Sequence, residues 1–255
     1  MLSKLLKYDL KSMFKVFIPL WIALIVVSIV NRFTLHQTQY DTPQVLSMIL
    51  YVSLFAAVMV VAVVLIIMRF YNGLLKDEGY LMFTLPVRPW QLVTSKALSA
   101  MIIIVLSLIF GAGSIFLVAM GSFTWADVRL FFQQLAQMLN TDIVLTMVLS
   151  VILMVSGITA SVTHVYASLA LGHLAPSHRI GWAVAAYIGI NILFTAIGSL
   201  ITKAMGHLDL DFNWVLTQYQ EINLGLGLLI GICVVQIVIF FVTTERILSK
   251  RLNLE

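Results

Sequence analysis

Apolar positions run through this chain in six blocks, near Val16 to Leu35, Val45 to Met68, Ala97 to Met120, Ile143 to Tyr166, Ile180 to Ile201 and Leu224 to Val242. Each is close to the roughly 20 helical residues that cross a hydrocarbon core at 1.5 Å rise per residue. None carries an Asp, Glu or Lys near its centre, as the cost of a bare charge in lipid requires. Pro19 lies in the first turn of its block, where a missing N–H is tolerated. The fourth block is rich in Ser and Thr, which can bond to the carbonyls of their own helix. The pattern predicts an all-α membrane protein of six transmembrane helices. It forms a single domain over residues 1–255, with no internal repeat and no low-complexity linker.

Between the blocks the pattern changes to amphipathic. Residues 1–15 place Leu2, Leu6, Leu10, Met13 and Phe17 at helical spacing, with Lys4, Lys7, Lys11 and Lys15 on another face. This predicts an N-terminal interfacial helix, apolar side toward lipid and lysines toward anionic headgroups. The segment 121–142 holds Trp125, Val128, Phe131, Phe132 and Leu135, compatible with a second interfacial helix. Segment 203–223 mixes acids with Trp214 and Tyr219, residues that favour the membrane boundary.

Composition agrees. Apolar residues make up 61% of the 255 and charged residues 10%, where a soluble domain carries about a quarter charged. A net charge of +4 would raise nucleic acid as a partner for a soluble protein. Here the basic residues gather at the block ends, so they read as topology signals and no nucleic-acid partner is expected. With both termini inside, Lys4, Lys7, Lys11, Lys15, Arg69, Lys76, Arg88, Lys96, Arg179, Arg246, Lys250 and Arg251 face the cytoplasm, and Arg32, Arg129 and Lys203 lie outside. Twelve against three predicts an N-in, C-in orientation. The first block follows a lysine-studded stretch and lacks a small-residue cleavage site, so it is expected to stay as a signal anchor.

Chemistry-bearing motifs are sparse. The lone Cys233 cannot form an internal disulfide or a multi-cysteine metal site, and the five histidines show no metal-ligand spacing. There is no G-x-x-x-x-G-K-[ST] phosphate loop, and the Arg69 to Lys96 segment is too short to be an ATPase domain. No G-x-S-x-G context marks a nucleophile, and the blocks lack the acids of a proton-coupled transporter. An enzyme is not expected, nor a cofactor held by this chain. Three polar residues in or near the blocks, His164, Asn191 and Gln236, are candidates for a substrate path or a subunit interface. The plainer reading is interhelical hydrogen bonding, worth roughly 0.6 kcal/mol each in membrane helices.

The most distinctive segment lies between the second and third blocks, from Asn72 to Leu92. Leu74 to Leu85 can form a short helix with an apolar face of Leu75, Leu81, Met82 and Leu85 beside the charged Lys76, Asp77 and Glu78. Pro86 and Pro89 then stop it. Such a helix, held between two spans, suits docking on a soluble partner, although a charge run is ordinarily a solvated loop.

Asp77-Glu78-Gly79-Tyr80-Leu81-Met82-Phe83-Thr84-Leu85-Pro86, followed by Pro89-Trp90-Gln91-Leu92 and Ser95-Lys96, resembles the first cytoplasmic loop of bacterial permease subunits of ABC transporters of the second exporter class. The second loop, Leu171-Gly172-His173-Leu174 to His178-Arg179, is similar more weakly, and the six-span layout also matches. The resemblance implies a plasma-membrane permease that dimerises with a second copy or a paralogue. Separate ATP-binding subunits would carry ATP and Mg beneath it. Residues 69–96 would then hold a coupling helix seated on that ATPase, with Leu75, Lys76, Asp77, Glu78, Gly79, Tyr80, Leu81, Phe83 and Arg88 as its coupling positions. The cargo implied is hydrophobic or amphipathic: a peptide, lipid or drug. The alternative is a membrane scaffold or sensor that recruits a cytoplasmic partner without transport.

Overall fold

The structure is a computed structural model that describes residues 2–34, 42–76, 88–119, 125–138, 141–207 and 218–250. Of these residues 96% are helical and none is in a strand. The helices are α1 (Leu2–Thr34), α2 (Thr42–Phe70), α3 (Pro89–Ala119), α4 (Trp125–Met138), α5 (Thr141–Gly172), α6 (Arg179–His207) and α7 (Gln218–Lys250), with a π-helical turn at Tyr71–Leu75. All but α4 are long and apolar enough to cross a membrane, six in total among the described residues. The chain is a multi-pass membrane protein.

The chain divides into two compact units, Met1–Arg69 with Thr94–Leu139, and Phe70–Val93 with Asn140–Glu255. In the first unit, α1 runs unbroken for 33 residues, about 50 Å against a core of about 30 Å. The expected interfacial helix of residues 1–15 is therefore the first four turns of one long helix. The cause is a continuous buried stripe of Asp9, Met13, Phe17, Trp21, Leu24, Ser28 and Asn31, which gives the helix one packed face from Asp9 to Asn31. Leu2, Leu6 and Leu10, at the start of the helix, are only half-buried.

Polar pairs join the helices of this unit. Trp21 stacks on Phe110 at 4.7 Å and donates its indole N–H to Ser107 Oγ at 3.2 Å. Tyr51 and Ser114 share a hydrogen bond of 2.9 Å. Asn31 donates to the Ser47 carbonyl, and the Ser47 hydroxyl donates back to Asn31 Oδ1. Each satisfies a side chain that lipid would leave bare.

In the second unit α5 packs on α6 and α7. The approach of α5 to α6 is close enough that a Cβ on Gly172 would lie 2.4 Å from the Ala183 backbone nitrogen, so only glycine fits there. Ala160, Ala167 and Ala170 continue the buried small-residue surface of α5. Phe70 and Tyr166 are both fully buried and stack at 4.0 Å.

Candidate functional site

Three clusters hold the polar chemistry. The first lies in the first unit, at the start of the buried stripe. Asp9 is 9% exposed, and Lys96, two turns into α3, is 6% exposed. Lys96 Nζ donates to Asp9 Oδ1 at 2.6 Å, and Ser95 Oγ donates to Asp9 Oδ2 at 3.1 Å. Arg69 Nη1 stands 3.9 Å from the same carboxylate and its Nη2 donates to Ser12 Oγ. A buried carboxylate is tolerated only when paired and hydrogen-bonded in this way. The cluster fastens the opening turns of the third span to α1, and Arg69 at the end of the second span to the same point.

The second cluster, in the second unit, is the root of the distinctive loop. The π turn continues directly from α2, and Lys76 then turns extended (φ −109°, ψ −168°). The widened turn buries Gly73, Leu74 and Leu75 together. The start of the expected helix from Leu74 to Leu85 differs: Leu74 and Leu75 close the preceding helix and Lys76 is extended, while residues 77–85 lie outside the described residues. Leu75 is 2% exposed, so its side chain packs inside the chain and offers no docking surface. Tyr71 sits edge-on to His173 at 6.5 Å, and Lys76 Nζ lies 5.6 Å from the Tyr71 ring centre, a cation–π contact. His173 Nε2 is 3.4 Å from Arg179 Nη1. Burial, and then the Arg179 charge, holds His173 below its ordinary pKa. Thus the root of the first loop packs on the second loop, residues 173–178. Arg88 is exposed at the far end, its carbonyl accepting the Gln91 N–H at 2.9 Å. The remaining expected coupling positions, Asp77, Glu78, Gly79, Tyr80, Leu81 and Phe83, lie outside the described residues.

The third cluster is a cavity of about 320 Å³ among α5, α6 and α7. His164, Asn191 and Gln236, one from each helix, all line it. The sequence offered no reason for them to converge. His164 lies between Tyr187 at 4.5 Å and Phe240 at 4.8 Å, stacked on both, and its Nε2 is buried without a hydrogen-bond partner. Asn191 Nδ2 donates to the Tyr187 carbonyl at 2.9 Å. Ser161 and Cys233 also border the space. The lining therefore presents neutral donors and acceptors between aromatic walls, suited to an uncharged hydrogen-bonding group. Among the described residues no three His, Cys, Asp or Glu side chains gather as a metal site would need.

Asp9 is the functional candidate that sequence reasoning passed over. It is the only acid before Asp41, and counting back in fours from Trp21, Phe17 and Met13 lands on it. The surrounding lysines masked that register.

The fold and these clusters define an all-helical, multi-pass membrane protein with polar pairing between its spans. No protein-family model, no curated protein and no solved structure matched the chain.

Proposed function

We propose that this chain is the membrane-spanning permease subunit of an ATP-driven exporter, working with separate ATP-binding subunits in the plasma membrane. The observation that carries the reading is the buried root of the Lys76 to Arg88 segment, with Leu74 and Leu75 buried and Tyr71 packed on His173. A lever must be held where it joins the machine, and the root of this one packs on a second inter-span loop through Tyr71 and His173. If all six cross, both termini, this loop and the 173–178 loop share one side, and the lysine and arginine excess supports the cytoplasm for that side. The resemblance of residues 77–96 to the exporter loop supplies the partner class.

In this reading ATP closes two partner ATPases and the loops move with them. That motion shifts the second and third spans, and ATP drives the cycle because it binds one global state better than the other. Lys76, Asp77, Glu78, Gly79, Tyr80, Leu81, Phe83 and Arg88 form the docking segment, and Leu75 anchors it from within. The His164 cavity is a stopping place for a polar group on an otherwise apolar cargo moving outward. Within the apolar stretch of each of the last three spans only 6% of residues are buried, against 22 to 28% in the first three. That supports a permease dimer or a lipid shell around those helices.

The test replaces Lys76, Asp77 and Glu78 with alanine in the full chain, purified with its ATP-hydrolysing partner and reconstituted in lipid. Partner retention and cargo-stimulated hydrolysis should both fall to background. If both survive, the coupling role is wrong. A partner that binds but shows no ATP hydrolysis would favour the scaffold reading.

A further inference from the structure

The outward side of α1 carries a second pattern, opposite the buried stripe. Lys7, Lys11 and Lys15 recur every four residues, and Ile18, Ile22 and Ile25 continue the same helical face. Two shallow concavities run along this face and adjoin at Phe14 and Ile18, together a shallow groove. Its first part, about 610 Å³, is bordered by the three lysines with Leu6 and Leu10. Its second part, about 340 Å³, is bordered by Trp21, Ile22 and Ile25 of α1 with Leu106 and Phe110 of α3. One end is cationic and the other is apolar throughout.

We propose that this groove is a binding site for one anionic phospholipid, with its phosphate at Lys7, Lys11 and Lys15 and an acyl chain along Ile18 to Ile25. Charge carries the first half of the argument. The nearest acid in sequence, Asp9, is turned to the opposite face and engaged by Lys96, Ser95 and Arg69, so it does not neutralise the lysines. No ion pair involves Lys7, Lys11 or Lys15 among the described residues. Length carries the second half. From Lys15 to Ile25 the helix rises about 15 Å, half of a hydrocarbon core of about 30 Å, which is the depth of one leaflet. Lys15 thus stands at headgroup level, with Lys11 and Lys7 about 6 and 12 Å further toward water, and the groove ends where a single acyl chain ends. Ile18 and Ile22 remain 48% and 57% exposed, apolar surface that a chain in the groove would cover. The inference rests on the membrane fold alone and stands or falls separately from transport.

Trp21 borders the apolar part of the groove and serves as the reporter. In the full chain with Trp90, Trp125, Trp182 and Trp214 changed to Phe, Trp21 fluorescence is monitored in nanodiscs containing phosphatidylglycerol or phosphatidylcholine with brominated chains. Brominated phosphatidylglycerol should quench with at least a roughly fivefold higher association constant, the effect of a single lysine near an anionic surface. K7Q/K11Q/K15Q should bring the two lipids level. Equal quenching by both lipids in the parent overturns the proposal, as does a preference that survives in the triple variant. No quenching by either overturns it too, since a second copy or another protein then covers the groove. Native mass spectrometry of the chain with all its tryptophans gives an independent reading: phosphatidylglycerol retained through delipidation by the parent and lost from K7Q/K11Q/K15Q. Retention by both, or by neither, contradicts the site.

Discussion

In the first unit the helices meet through polar pairs: Asp9 with Lys96, Trp21 with Ser107, Tyr51 with Ser114, Asn31 with Ser47. In the second they meet through rings and small residues: Phe70 on Tyr166, His164 between Tyr187 and Phe240, Gly172 against Ala183. Lipid gives helices no hydrophobic reason to associate, so both units rely on polar bonding and close packing in different proportions: the first adds one ring stack, Trp21 on Phe110, and the second one hydrogen bond between helices, from Thr146 Oγ1 to Asn223 Oδ1 at 2.7 Å. Polar pairs fix register, because a slipped helix strands its donors. The Gly172–Ala183 approach fixes register sterically instead, and the cavity lined by His164, Asn191 and Gln236 lies among the rings of the second unit.

The contrast can be broken most severely at Asp9. D9A leaves Lys96 buried and uncompensated, which should cost about 3–5 kcal/mol in a reversible SDS or steric-trapping titration. Adding K96M should recover most of that loss, since an apolar pair of similar volume can replace a buried ion pair. A double variant as unstable as the single one would mean that Asp9 acts through Arg69 or Ser95 instead. In the second unit the sensitive point is steric. G172A puts a methyl against the Ala183 backbone and should cost about 1–3 kcal/mol, with α5 and α6 forced apart.

A smaller effect is expected from Y51F, which removes one interhelical hydrogen bond and should cost about 0.6 kcal/mol, because Ser114 keeps its bond to the Gly111 carbonyl. The smallest is a pH effect at His173, which lies outside the spans. Its pKa is lowered in the folded chain, so the folded state disfavours its proton. Its stabilising contribution is complete above the unfolded value of about 6.5 and is lost as pH falls through the lowered folded value. Amide exchange of residues 173–178, corrected for intrinsic rates, should rise below that pH in the parent and not in H173N.

The spans were legible because long charge-free runs have few other uses. The two-unit division was not, because helix–helix pairing leaves no local trace. Asp9 lay within reach of the helical period that picks out Met13, Phe17 and Trp21, yet lysine density drew attention to the opposite face. The π turn adds a residue to the helical period without altering composition, so Leu75 read as docking surface when it is core. His164, Asn191 and Gln236 were legible as polar exceptions one at a time. Their convergence depends on how three helices pack, which no spacing along one helix encodes.

The central claim, that the loop from Lys76 to Arg88 docks on an ATPase, is tested most directly by site-specific cross-linking. In a C233S background, single cysteines at Lys76 and Arg88 are reacted with a short bifunctional reagent in native membranes, and the joined peptides are sequenced. Both positions are expected to join a chain carrying a G-x-x-x-x-G-K-[ST] nucleotide site, with the yield changing when ATP is added. Cross-links only to lipid, or to a soluble chain without such a site, would contradict the account.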